Sequence, residues 1–103
     1  MDLQNKVTII TGGSGGLGMA AAKAFLAKGA KVAVFDLEEG GAKALAKENA
    51  GQLKYYKTNV TREDNVAANI NQVMEDFGSI DVCINCAGFG PSAKIYSSRK
   101  GPH

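Results

Sequence analysis

No stretch of this 103-residue chain approaches the roughly 18–20 consecutive apolar residues that a membrane-spanning helix requires. Met1-Asp2-Leu3-Gln4 has neither the basic start nor the apolar core of a secretory leader. Cysteine is scarce: Cys83 and Cys86 alone make neither a zinc site nor a disulfide framework, and the single histidine, His103, is terminal and without a partner in sequence. Charge of one sign is lacking too. The formal net charge is +2, but Lys94, Arg99 and Lys100 all fall in the last 14 residues, which hold no acid, leaving nine basic against ten acidic side chains before them. A nucleic-acid binder shows a basic face across its fold, so neither a nucleic acid nor a membrane is expected as a partner. There is no internal repeat and no low-complexity linker. What remains, 45% hydrophobic and 21% charged, predicts a soluble globular chain of about one small domain.

Strand-like and helix-like segments alternate along it. Val7-Thr8-Ile9-Ile10 and Val32-Ala33-Val34-Phe35 are short apolar runs of the kind that form strands buried on both faces. Between them apolar residues recur at Leu17, Ala20, Ala21, Ala24 and Phe25, a helical period that Gly29 ends. Ala42, Leu45 and Ala46 give a weaker helical stripe, and Leu53 to Lys57 reads as a third strand. Thr61, with Asp64 three residues on, suits the cap of a third helix. The stripe of that helix is Val66, Ile70, Val73 and Phe77, and Gly78 ends it; Ile80 to Ile84 is a fourth strand. This order predicts an α/β fold: a doubly wound parallel sheet in the order 3-2-1-4, with helices as right-handed crossovers. Beyond Gly88 the periodicity stops, so 89–103 reads as a loop or insertion, the sheet as truncated after its fourth strand, and that strand as an exposed edge.

Thr11-Gly12-Gly13-Ser14-Gly15-Gly16-Leu17-Gly18 lies directly between the first strand and the first helix. Glycines permit a sharp turn and close backbone approach, while the open N–H groups and dipole of a helix start favour an anion. Asp36, 18 residues after Gly18, falls at the end of the second strand, where a carboxylate accepts hydrogen bonds from ribose hydroxyls. It would repel a 2′-phosphate, and no arginine in the loop or just after Asp36 reverses that preference, so NAD is expected rather than NADP.

The spacing Thr-Gly-x-x-x-Gly-Leu-Gly, with Lys6-Val7, Asp36, Asn59-Val60-Thr61, Phe77-Gly78-Ser79-Ile80-Asp81-Val82 and Asn85-Cys86-Ala87-Gly88, resembles the short-chain dehydrogenase/reductase family across the whole chain. The resemblance implies that residues 1–103 are the N-terminal, cofactor-binding half of one Rossmann-type domain. It implies that Gly12, Gly16 and Gly18 form the cofactor turn and that Ser14 and Leu17 contact pyrophosphate and ribose. Asn59 stands where the family usually has aspartate; its amide oxygen would accept a bond from the adenine amino group, and Val60 would offer its backbone to the same base. Asn85, Ala87 and Gly88 would shape the floor under the nicotinamide-side ribose. The implied activity is interconversion of a secondary alcohol and a ketone. By its closing stretch the substrate would be a 3-hydroxyacyl-CoA or a hydroxysteroid, with the basic tail suited to a CoA phosphate. A non-catalytic NAD-binding module and a 3-oxoacyl-carrier-protein reductase stand as alternatives. The resemblance also implies a homotetramer when complete, in the cytoplasm or, for a eukaryotic relative, the mitochondrial matrix.

The family's catalytic serine, tyrosine and lysine are expected to lie outside this chain. Tyr96 and Lys100 match a Tyr-x-x-x-Lys pattern, but between Gly90-Pro91 and Gly101-Pro102, too close to Gly88 for the helix that carries the catalytic pair. Cys83 and Cys86 form a C-x-x-C on or beside a strand, where positions i and i+3 point to opposite faces, so buried thiols rather than a redox pair are expected. Asn59-Val60-Thr61 also spells a glycosylation sequon, which carries no weight without a secretory leader.

Overall fold

The β-branched runs become strands and the glycines punctuate the helices between them. The computed structural model describes residues 2–86 and the backbone of residues 92–99. The elements are β1 (Val7–Thr11), α1 (Gly16–Ala27), β2 (Lys31–Asp36), α2 (Ala42–Glu48), β3 (Leu53–Lys57), α3 (Glu63–Phe77), β4 (Ser79–Asn85) and β5 (Ser92–Arg99). The sheet order is β3-β2-β1-β4-β5, with β1 to β4 parallel, as expected for a doubly wound fold. β1 is central, pairing with β2 from Val7↔Lys31 to Thr11↔Phe35 and with β4 from Thr8↔Val82 to Thr11↔Asn85.

Alternation along the strands builds two cores, one on each face of the sheet. Ile10, Val32, Val34, Leu53, Val82 and Ile84 pack with Ala22 of α1 and with Ala42 and Leu45 of α2. Val7, Ile9, Ala33, Phe35, Tyr56 and Ile80 pack with Val73 of α3, and the Phe35 and Tyr56 rings meet edge-on at 5.6 Å. Each large side chain so buried contributes about 1.5–3 kcal/mol relative to exposure.

The α1 stop is a Schellman motif. Gly29 takes φ +82 and its N–H donates to the Leu26 carbonyl, while the Ala30 N–H reaches the Phe25 carbonyl. Gly78 ends α3 in the same left-handed conformation, at φ +84. At the amino end of the sheet the buried Asp81 carboxylate accepts the Val7 N–H at 2.9 Å and the Ser79 hydroxyl at 3.2 Å, fastening β4 to β1.

Four sequence expectations are corrected. The chain does not leave β4 as an edge: Ser92–Arg99, expected to be loop, pairs antiparallel with it from Asn85↔Ser92 to Ser79↔Arg99, with a bulge opposite the Ile80–Val82 step. The apolar edge of β4 offers unpaired backbone groups, and a following segment with any strand capacity satisfies them. The buried face of α1 is rotated from the one expected: Ala22 is fully buried, whereas Leu17, Ala20 and Ala24 are exposed. An alanine-rich helix is apolar all round, so its period does not single out a face. In α3, Val73 is buried but Ile70 is 37% exposed. The N-cap of α3 is Arg62, without a side-chain cap bond, because Thr61 turns its hydroxyl back to Asn59.

Candidate functional site

The carboxyl ends of β1, β2 and β3 converge with the start of α1, the crevice where open α/β sheets take their ligands. Gly12 leaves β1 at φ +70, which a side chain would resist, and its N–H donates to the Phe35 carbonyl at 2.8 Å. The chain then folds tightly under itself: a Cβ on Gly18 would stand 2.3 Å from the Gly13 Cα and 2.6 Å from the Gly12 oxygen. Only glycine lets α1 start this close to the turn. Its N-cap, Gly15, is extended and offers no side-chain cap, so the first N–H groups, including those of Gly16 and Leu17, are left for an anion. Space above the loop is open, since a Cβ at Gly15 or Gly16 meets nothing within 4 Å.

Ser14 and Asp36 are brought together. The Ser14 hydroxyl donates to Asp36 Oδ2 at 2.6 Å and the Ser14 N–H to the same oxygen at 3.2 Å, while the Glu38 N–H reaches Oδ1 at 3.3 Å. Burial pushes the Asp36 carboxyl up, but these bonds outweigh it and hold the group below the usual carboxylate range, fixing it ionised at neutral pH. The Asp36 carbonyl accepts the Tyr55 hydroxyl at 2.9 Å and the Thr58 N–H at 2.8 Å, so the ends of β2 and β3 are tied at this residue. Glu38 and Glu39 follow, making the rim beyond Asp36 acidic.

Leu17, Leu37 and Val60 are 55%, 54% and 42% exposed, large apolar side chains placed beyond the strand ends. Leu37 was not singled out in the sequence; an apolar residue directly after a strand-ending aspartate was the available signal. Asn59 and Val60 follow β3 as expected. Asn85 ends β4, and its Oδ1 accepts the Thr11 hydroxyl at 2.9 Å, with the Cys86 N–H donating to the Thr11 carbonyl. Ala87 and Gly88 lie outside the described residues.

The two cysteines of the C-x-x-C are half-buried and lie on opposite faces of the sheet. Cys83 packs with the α3-side core and Cys86 with the opposite one, and burial raises the Cys86 thiol. Tyr96 lies in a strand, where a four-residue spacing does not bring residues together as one helical turn does; Lys100 lies outside the described residues. Among the described residues no cluster of three His, Cys, Asp or Glu could hold a metal, and no helix is long and apolar enough to cross a membrane.

A glycine turn under an uncapped helix start, with an ionised carboxylate at the end of the neighbouring strand, is the arrangement with which α/β folds take dinucleotides. Comparison with known proteins makes this specific: residues 6–100 match the short chain dehydrogenase family model, and the chain belongs to that family of oxidoreductases. It is 36% identical over 95 residues to human 3-hydroxyacyl-CoA dehydrogenase type-2, covering 92% of this chain and 36% of that protein. It is 33% identical, with a TM-score of 0.71, to the 3-ketoacyl-(acyl-carrier-protein) reductase of Brucella melitensis solved with NADH, over 77% of this chain and 33% of that one. An oxidoreductase from Haemophilus influenza with bound NAD superposes with a TM-score of 0.69 at 37% identity, over 78% of this chain and 30% of that one. The chain therefore spans about a third of the length of the relatives it matches.

Proposed function

We propose that this chain is the cofactor-holding part of an NAD-dependent oxidoreductase that interconverts a secondary alcohol and a ketone. The observation that carries the reading is the Asp36 carboxylate, ionised and aimed by Ser14 at the end of β2, beside the glycine turn. The residues present fit a dinucleotide. The N–H groups at the start of α1, with Gly12, Ser14, Gly16, Leu17 and Gly18, would take the pyrophosphate, and Asp36 the adenosine ribose hydroxyls. Leu37 and Val60 would flank the base together with Asn59. Asn85, held by Thr11, would lie under the nicotinamide-side ribose with Ala87 and Gly88. Bound nicotinamide supplies hydride transfer; this chain's residues bind and orient it. The proton-transfer groups are proposed to belong to the two-thirds of the family's length that this chain does not span.

NAD is favoured over NADP because Asp36, Glu38 and Glu39 together oppose a 2′-phosphate. The likeness to the human dehydrogenase supports a 3-hydroxyacyl-CoA or a hydroxysteroid as substrate, and the basic Lys94, Arg99 and Lys100 suit a CoA phosphate. The likeness to the Brucella reductase supports a carrier-protein-bound 3-oxoacyl group as a second reading. Assembly as a homotetramer, and residence in the cytoplasm or mitochondrial matrix, belong to the same proposal for the complete protein. Titration with NAD and NADP tests the cofactor assignment. Asp36→Ala should weaken NAD by about 10- to 100-fold, the loss of a charge-assisted bond to a ribose hydroxyl, while NADP binding stays level or improves. Equal loss for both cofactors would remove Asp36 as the discriminating residue. A chain that binds NAD yet belongs to no catalytic assembly would be a binding module.

A further inference from the structure

Asn59 is oriented opposite to the way a base acceptor needs to be. Its Oδ1 receives the Thr61 N–H at 3.0 Å and the Thr61 hydroxyl at 2.5 Å. A backbone N–H only donates, so the atom facing it must be the amide oxygen, and the orientation of the side chain is settled by chemistry. The Asn59 backbone is held too, its N–H donating to Asn65 Oδ1 at 2.6 Å in the first turn of α3. With the oxygen doubly engaged in this turn, what Asn59 has left to offer is its NH2 group, with two N–H donors. The residue directly follows Thr58, whose N–H is bonded to the Asp36 carbonyl, so it stands next along the rim from the ribose carboxylate.

The sequence expectation, an amide oxygen accepting from the 6-amino group of adenine, therefore reverses in sign. We propose that Asn59 is a donor-only specificity residue, and that the base subsite of this chain accepts a 6-oxo purine about as well as a 6-amino purine. A 6-amino group donates and a 6-oxo group accepts, so the NH2 of Asn59 matches a ring nitrogen or a 6-oxo oxygen and gives the amino group nothing. An aspartate here would spend one oxygen on Thr61 and still present the other as an acceptor; asparagine has no second oxygen. The inference rests on the dinucleotide reading above.

The test is parallel fluorescence titration of the protein with NAD and with nicotinamide hypoxanthine dinucleotide, its 6-oxo analogue. The unaltered chain should show dissociation constants for the two within about fivefold. Asn59→Asp, which restores an outward acceptor and repels a 6-oxo oxygen, should widen the ratio at least about tenfold in favour of NAD. Thr61→Val, which removes the hydroxyl that helps hold the amide, should shift the ratio in the same direction by less. Discrimination of fivefold or more by the unaltered chain, or a ratio unmoved by Asn59→Asp, overturns the proposal. Failure of the underlying reading looks different: neither nucleotide binds. Circular dichroism and the urea midpoint of each variant separate a changed site from a misfolded one.

Discussion

Replacing Gly18 by alanine puts a single methyl into the tightest backbone crossing of the cofactor turn. The added Cβ would sit 2.3 Å from the Gly13 Cα, 2.6 Å from the Gly12 oxygen and 2.8 Å from the Gly13 carbonyl carbon. All three are backbone atoms, so no side chain can swing aside, and carbon contacts need roughly 3.5–4.0 Å. Either the start of α1 or the Gly12–Gly13 turn must retreat by about 1 Å. An N–H to phosphate bond has its optimum near 2.7–2.9 Å and does not survive that displacement. Losing two, at about 1.5 kcal/mol each at the low end, amounts to about 3 kcal/mol, or roughly a 150-fold rise in the NAD dissociation constant. The fold should tolerate the change, because overpacking of about 1–3 kcal/mol is offset by about 1 kcal/mol of helix propensity. Gly15→Ala is the control: Gly15 sits at φ −82 and ψ 177, which alanine adopts freely, and a Cβ there meets nothing within 4 Å. Calorimetric titration with NAD, beside urea unfolding, should show a loss confined to Gly18→Ala. A folded Gly18→Ala chain binding NAD within about threefold of the original, or a Gly15→Ala chain as weak as Gly18→Ala, refutes the argument from close approach.

Removing the Ser14 hydroxyl with Ser14→Ala should let the Asp36 carboxyl rise toward its ordinary value. Binding that needs the carboxylate is lost as pH falls through that value, so NAD affinity, about fivefold weaker at neutral pH, should fail at a higher pH than in the original; titrations across pH 3 to 7 read this directly. Thr8 is fully buried and its hydroxyl has no hydrogen-bond partner among the described residues, so Thr8→Val should raise the unfolding free energy by about 1 kcal/mol in urea titration. The carboxyl of Asp76 is lowered to about 2, first by the Tyr56 hydroxyl at 2.6 Å and then by Lys54 at 2.9 Å. A depressed carboxyl stabilises the fold above its unfolded value and loses that contribution as pH falls from about 5 to 2. Tyr56→Phe should therefore cost about 1 kcal/mol at pH 7 and progressively less toward pH 2; a cost independent of pH would assign the effect to packing alone.

The four parallel strands and three helices were legible because their signals are local: β-branched runs for β1 and β2, and Gly29 and Gly78 where helices stop. β5 was not, because Ser-Ala-Lys-Ile-Tyr-Ser-Ser-Arg has little strand character of its own and is recruited by the edge of β4. The buried face of α1 was illegible for a different reason, since Ala20 and Ala24 look as apolar as Ala22. In the site, the glycine turn and Asp36 could be read from spacing alone. The Ser14–Asp36 bond joins residues 22 apart, and the Asn59 oxygen is claimed by Thr61 only once the turn into α3 has formed. Both depend on where the chain returns to, which no window of neighbouring residues records.

The central strand is fastened to β4 at both ends, through the Val7 N–H on Asp81 and the Thr11 hydroxyl on Asn85, and each of these bonds spans 74 residues of sequence. β2 and β3 and the helices between them all intervene between β1 and β4, so the neighbour that locks β1 is synthesised well after it. Contacts of such long range are entropically costly to close and come late in folding. The cofactor turn grows directly out of β1, so it cannot be rigid before β4 docks. Order in the turn is thus tied to the docking of β4, and a chain interrupted before Ser79 would carry every glycine of the turn without the strand that fixes it.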